Sequence, residues 1–485
     1  MTLLAGAAEA HITPPFPVDL LGYVRRPEAA RFAYEPLMAT ACVFHDDDAG
    51  TTAVIIAADV VGLTTAMADR IRGRVGELVG CDPAAVLLNS SHTHAAPWPG
   101  ATIKLGGEFD DWTEQELRYW ESVPDRYASV ALEAMARRAP ARVGGGVGEA
   151  RGLAVNRRER TADGRTILGW NRDGVRDDSV VAIRVDGRDG PPPMADGIAT
   201  IVSFACHPVV IGPDLPGAGP DFVGPLRAGV AAHRPGAVTV FLQGAAGDAL
   251  PLESFRDDED AHVAAAVFGE RLALEAAHAV ADVDPWPTEI ERSDWGSVTP
   301  IRLSRRRRAD APPPQVLRTA RRIVPLPFLE LPAAADLRRE LDERRRDLVA
   351  RRDRGESRVT MNPIRYHVSW LETMLALEEA EGRPTAVDGE VWAARIGDCA
   401  VVGGPGEIFG AIGTAVRRAS PATVTIFAGY CQGTLGYIAT PDEYPHGGYE
   451  PTVSHRGYGQ PAPFSPDVAG IIERTSLELL EELFA

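Results

Sequence analysis

Apolar runs that stop at a histidine or an acid recur along this chain, and the sharpest is Val86–Pro97, VLLNSSHTHAAP. Val86, Leu87 and Leu88 read as a buried strand, small polar residues end it, and His92 and His94 follow with one residue between them. On a strand, side chains at i and i+2 share a face, with about 6.5–7 Å between their Cα atoms. Two imidazoles on one face at a strand's C-terminal end suit a metal ligand with a second ligand or a proton-transfer group beside it. An isolated His-x-His is as often a loop pair without function. Its weight therefore depends on what accompanies it.

The company is a series of strand ends. Ala53–Val61 (AVIIAADVV) is a buried strand ending beside Asp59, and a helix over about Thr65–Val79 separates it from the histidine strand. That strand–helix–strand order opens an α/β layer structure. Short strands are expected around Ala141–Val155, ending in Asn156-Arg157, with a hairpin near Thr161–Trp170 and a strand at Val180–Val185. Ile198–Ala205 runs into Cys206-His207-Pro208, and Ala237–Leu242 into the turn QGAAGDALP. Val391–Ile396 and Ala400–Val402 lead to GGPGEIFG, where Glu407 stands at an expected helix start. Thr423–Phe427 precedes GYCQGTLGYIATPDEYPHGGYEP.

Helices are expected over Thr113–Arg138, interrupted at Pro124, and over Asp260–Ala281, Ala333–Arg352 and Asp467–Phe484. The Gly/Pro-rich loop 95–112 would rim a pocket. One domain over 1–485 is expected, with a charged helical insertion at about 304–360 that includes SRRRR and a PPP segment. Its helix alternates in charge, as a solvated or partner-facing surface does.

Composition removes several classes of function. A net charge of −18 argues against nucleic acid or an anionic membrane as partner. No stretch approaches the 18 or so apolar residues of a membrane span, and MTLLAGAAEAHITPP lacks the basic start and apolar run of a secretion signal. Cys42, Cys81, Cys206, Cys399 and Cys431 are scattered without a CxxC. They predict reduced thiols in a cytoplasmic protein. The partner expected is a small-molecule substrate, with a homo-oligomer left open.

His92, His94, His207, Asp248, Glu407 and the Tyr437–Tyr449 segment all follow apolar strands, and open α/β sheets place ligands outside the carboxyl ends of their strands. Imidazole, carboxylate and phenolate are zinc ligands. A metal hydrolase is the expectation.

These segments resemble, in order, those of the neutral ceramidase family, zinc-dependent amide hydrolases. LLNSSHTHAAP and VSFACHP are similar to its two histidine segments, VNRR to its Asn-Arg motif and FLQGAAGD to its Gln…Gly-Asp turn. GGPGEIFG is similar to its Pro-Gly-Glu helix start and YIATPDEYPHGGYE to its tyrosine-rich segment. The resemblance implies an α/β, mixed-sheet catalytic domain of neutral-ceramidase type, without the family's C-terminal immunoglobulin-like domain. It implies one zinc ion on His92, His207, Glu407 and Tyr437, with His94, Arg157 and Tyr449 around the scissile amide. Asp59 and Asp248 are candidates to orient the ligand imidazoles, with structural turn aspartates as the equal alternative.

The resemblance departs in two places. Leu250 occupies the position of a family serine proposed as catalytic, which leaves attack by metal-activated water. Arg158 replaces a serine after Arg157, an added positive charge that predicts a small, polar or anionic substrate rather than ceramide. Three alternatives stand beside this reading. The first is an ester, lactone or carbamate hydrolase at the same site, and the second a non-catalytic zinc-binding homologue. The third is a TIM-barrel amidohydrolase, whose two metals are bridged by a carboxylated lysine; here the only lysine is Lys104, in a glycine-rich loop.

Overall fold

The computed structural model describes residues 2–101, 103–104, 109, 111–187, 197–281, 283, 288–296, 298–308, 315–380 and 382–485. The PPP segment and much of the loop 102–110 lie outside the described residues. The larger of two main sheets has eight strands, in the order Val238–Gln243, Gly197–Phe204, Ser179–Gly187, Ala139–Glu149, Leu3–His11, Met38–Asp46, Thr51–Ala58, Val86–Ser90. The pair at each edge is parallel, and the pairs between are antiparallel. A four-stranded sheet runs Leu317–Pro327, Ala386–Ile396, Cys399–Gly403, Val424–Ala428, and its last pair is parallel.

Period-two alternation sorts the layers. Leu87 and Ile55 point to one side and join Trp392, Val401 and Ile426 in a core between the two sheets. Val86, Leu88, Val54 and Ile56 point to the other, against helices Thr65–Val79 and Glu114–Ala136. Helices Val223–His233 and Ala261–Ala281 cover the rest of that outer face. Gly410–Ala419 and Asp467–Phe484 cover the outer face of the smaller sheet. The layers run helix, sheet, sheet, helix. No helix among the described residues is long and apolar enough to cross a membrane.

Two expectations change. Glu114–Ala136 passes through Pro124 as one helix. Val123 and Tyr127 beside the proline are buried in the core, and that packing offsets the one N–H the ring removes. The charged segment 304–360 is also not one excursion. Its arginine run closes a hairpin, Thr288–Trp295 with Ile301–Arg308, and Leu317–Pro327 is a strand of the smaller sheet. The helical addition is instead the pair Ala334–Asp353 and Arg358–Ala380, packed through Leu337, Leu341, Trp370 and Leu371.

Candidate metal centre

Four chain segments meet where strands run out. His92 and His94 lie beyond the strand Val86–Ser90, in a loop, so the shared-face argument does not apply to them. The rings converge for a different reason. His92 takes φ 65°, a left-handed turn, and its Nε2 ends 3.2 Å from Nε2 of His94. His207 follows the strand ending at Phe204. Glu407 stands in a two-residue strand rather than a helix, paired in parallel with Tyr437–Ile438 so that Glu407 and Tyr437 are register partners.

Residues that sequence reasoning passed over hold these segments together. The Gln243 carboxamide donates to the carbonyls of Ser91 (2.9 Å) and Cys206 (2.8 Å), tying both histidine loops to one strand end. Asn89 accepts from Gln243 N (2.9 Å) and donates to Gly429 O (2.7 Å), which joins the edges of the large sheet to the smaller one. Both lie inside the motifs quoted from the sequence, Gln243 in FLQGAAGD and Asn89 in LLNSSHTHAAP, but no role was read for either.

The donor atoms fit a metal ion. Nδ1 of His92 lies 2.6 Å from the Val61 carbonyl, and Nδ1 of His207 lies 2.8 Å from that of Ala246 and 3.1 Å from that of Ala249. A carbonyl only accepts, so each Nδ1 carries the proton and each Nε2 presents a lone pair. Those lone pairs face the Glu407 carboxylate, with Oε2 3.4 Å from His92 Nε2 and 3.1 Å from His207 Nε2. The Tyr437 hydroxyl is 3.5 Å from His207 Nε2. Tetrahedral zinc with bonds of about 2.0–2.1 Å separates its ligand atoms by about 3.3–3.4 Å. Buried acceptors converging at one point call for a cation between them. His92, His94 and His207 together form a group able to hold one.

Two further phenols, missed from sequence, meet Glu407. Tyr458 donates to Oε1, and Tyr430 approaches Oε2 at 3.3 Å. Burial opposes the Glu407 charge, but His92, His207 and Arg157 outweigh it and hold the pKa down to about 2. Burial, and then Arg157, push His207 down to about 4. Burial pushes the Tyr437 phenol well above its ordinary value, with the Arg157 guanidinium acting the other way.

The remaining predicted residues divide. His94 lines the pocket over the centre, edge-on to Tyr23 with ring centroids 4.7 Å apart. Tyr449 lines it too, edge-on to Tyr437. Arg157 sits behind Tyr437, its carbon 5.1 Å from the ring centroid, with Nε on Glu450 (2.7 Å) and Nη1 3.0 Å from His207 Nε2.

Arg158 adds no free charge, against the expectation. It is fully buried, bonded to Glu443 (2.6 Å), to Glu450 and to the Gly447 carbonyl. Neither aspartate orients an imidazole, because backbone carbonyls do that. Asp59 pairs two-pronged with Arg227 (2.9 and 2.7 Å). Asp248 accepts from Gly410 N (2.8 Å) and Asn156 (2.9 Å), and its carbonyl accepts from Arg157 N. Leu250 packs against Val155 and Val209. Lys104 pairs with Asp19 (2.8 Å) and sits over Trp112, with no part in the centre.

The pocket holds about 600 Å³, counted to its open mouth. Val24, Val61, Trp98, Val453 and Tyr458 wall it, and Tyr366 and His367 enter from the helix Arg358–Ala380.

No protein-family model matches the chain, and no curated protein matches it. Solved structures do. The neutral ceramidase from Pseudomonas aeruginosa superposes with a TM-score of 0.68 at 17% identity, over 100% of this chain and 74% of that one. A ceramidase complexed with C2 gives 0.66 at 17% identity, over 100% and 75%. Layer order and strand-end centre together make this a chain with the neutral ceramidase fold along its whole length.

Proposed function

We propose that this chain is a zinc-dependent hydrolase of a linear amide (N-acyl) bond, with one zinc ion on His92, His207, Glu407 and Tyr437. The observation that carries the reading is the convergence of two Nε2 lone pairs on one carboxylate oxygen, 3.4 and 3.1 Å from it, at the floor of the pocket. A zinc ion held there supplies a water of lowered pKa and polarises the acyl carbonyl.

The chain's own groups do the rest. The carbonyls of Val61, Ala246 and Ala249 fix the tautomers of the two histidines. His94, facing the pocket, passes a proton to the leaving nitrogen, and Tyr449 at the wall donates to the acyl oxygen. Arg157, behind Tyr437, favours the phenolate and positions that ring. Both solved structures of this fold are named ceramidases, which supports amide cleavage. The aromatic walls, with Arg158 neutralised, favour a compact neutral acyl group over an anionic one. Five free thiols accord with a cytoplasmic setting.

The test is elemental analysis of purified wild type and His207→Ala, each assayed on N-acyl amines, N-acyl amino acids and matched esters. About one zinc per chain, lost from the variant together with amide hydrolysis, is expected. No metal, no rescue by added zinc, or two metals per chain would each sink the proposal.

A further inference from the structure

One wall of the pocket over the candidate centre comes from outside the two sheets. Tyr366 and His367 reach it from the helix Arg358–Ala380, the second helix of the charged pair. Spacing sets their direction. They stand four and three residues before Trp370, so the three share a helix face. Trp370 fastens that face to the segment that follows the tyrosines of the site. Its Nε1 donates to the Gln460 carbonyl (2.9 Å), and the Arg456 guanidinium carbon lies 4.7 Å from its ring centroid. Leu371 and Met374 are buried in the helix pair's own core.

Two polar groups are thereby held on the pocket wall without partners. Neither the Tyr366 hydroxyl nor the His367 ring makes a hydrogen bond among the described residues, and their ring centroids are 5.2 Å apart. Burial raises the Tyr366 phenol well above its ordinary value, with Tyr449 adding to the rise and Arg456 opposing it. Burial, and then Arg456 and Arg344, push the His367 imidazole down to about 4, with Glu340 acting the other way. At neutral pH the pair therefore offers one hydroxyl and one ring N–H. The surrounding charges do not cancel. Arg456 and Arg344 share a single acid, Glu340, at 3.0 and 3.5 Å. Two guanidiniums on one carboxylate leave a net positive charge beside His367, and the Nε of each is buried without a partner.

Unpaired donors on a pocket wall in a positive field suit a carboxylate. Burial and then Glu407 raise the Tyr449 phenol, whereas Glu407 is not among the groups that act on Tyr366 or His367. The pair thus stands further from the centre than Tyr449 does. We propose that Tyr366 and His367 form a subsite for a substrate carboxylate, and that the substrate is an N-acyl amino acid whose carboxylate lies several bonds from the scissile nitrogen. This rests on the amide-hydrolase reading above, in which the acyl group is compact and neutral, so the carboxylate belongs to the amine half. The phenol and the imidazole N–H each donate to it, and Arg456 and Arg344 supply the field.

Hydrolysis and binding test the subsite separately. N-acetylglycine, N-acetyl-γ-aminobutyrate and N-acetyl-ε-aminocaproate are each assayed beside their methyl amides. Calorimetry follows 6-oxoheptanoate, in which a methylene replaces the scissile nitrogen, beside its own methyl amide. Wild type should favour the carboxylate of a longer pair by about tenfold or more in kcat/KM, and bind 6-oxoheptanoate over its amide by a similar factor. Tyr366→Phe and His367→Leu should each cut both ratios by about threefold or more, the loss falling in KM rather than kcat. Tyr366→Phe keeps the ring and carries the test if His367→Leu does not fold. Amide hydrolysis without preference for the carboxylate, or a preference that Tyr366→Phe leaves intact, overturns the subsite and leaves the hydrolase standing. Preference for succinic acid monoamides, with the carboxylate on the acyl half, overturns the assignment to the amine half. No hydrolysis of any amide, with 6-oxoheptanoate still bound through Tyr366, sinks the hydrolase reading and keeps the subsite; loss of binding as well overturns both.

Discussion

Gly22→Ala separates the proposed role of His94 from that of the proposed metal ligands. Gly22 has φ +98°, and a Cβ added there would lie 2.4 Å from the His94 ring carbon. Ordinary contact begins at 3.4 Å, so the ring must retreat by about 1 Å, a displacement that costs about 10²-fold in rate when it befalls a reacting group. It cannot simply slide away, because Tyr23 and His92 flank it at ring-centroid distances of 4.7 and 4.9 Å. The left-handed backbone adds about 1–2 kcal/mol of strain. The expected variant binds metal as wild type does, loses about 10²-fold in kcat on an N-acyl substrate, and unfolds at lower urea by that strain. Steady-state kinetics with elemental analysis and urea titration read all three. Activity within threefold of wild type would refute the reasoning about His94. Loss of metal with loss of rate would make His94 a ligand instead.

Three other perturbations probe the surroundings. Tyr458→Phe removes the donor to Glu407 Oε1 and should weaken metal binding about 10–100-fold in a chelator competition; wild-type affinity would show the phenol is not needed there. Glu450→Gln takes the buried carboxylate from Arg157 and Arg158 and should cost about 3–5 kcal/mol in urea unfolding, so a loss under 1 kcal/mol would contradict the pairing. Burial raises Asp221 to about 6 and Asp248 to about 7. Each folded pKa stands above its unfolded value, so each contributes stability at low pH that is lost as pH rises through about 4 to 7. Metal-free wild type should therefore gain stability relative to Asp248→Asn between pH 7 and pH 4, by up to about 4 kcal/mol; parallel pH profiles would count against it.

The strand ends were legible because burial between layers leaves an unbroken apolar run that only a chain reversal can end. Val86–Leu88, Ile198–Ala205 and Ala237–Leu242 carry that signature, and the residues after them meet in space. What escaped depends on partners far off in sequence. Arg158 reads as a free charge until Glu443 and Glu450, nearly 300 residues on, are folded over it. Pro124 reads as a break until the core packs around it. His92 and His94 converge through a left-handed turn, which no periodicity foretells. The helix Arg358–Ala380, which sends Tyr366 and His367 into the pocket, follows a charged helix and contains Pro363, so its pattern resembles loop.

The candidate centre takes two of its groups from each main sheet. His92 and His207 follow strands of the eight-stranded sheet, while Glu407 and Tyr437 face each other in a short ladder whose two strands follow the last two of the four-stranded one. Of the four proposed ligands, a partly folded intermediate with only one sheet built presents two, with the His94 imidazole beside them on the eight-stranded side. On the proposed ligand set, completing the ion's coordination and closing the seam belong to one cooperative event late in folding. Stripping the ion should accordingly loosen the joint between sheets before either sheet frays, with protease cleavage and amide exchange appearing first along 404–409 and 429–438. The candidate centre would then double as the rivet of the domain.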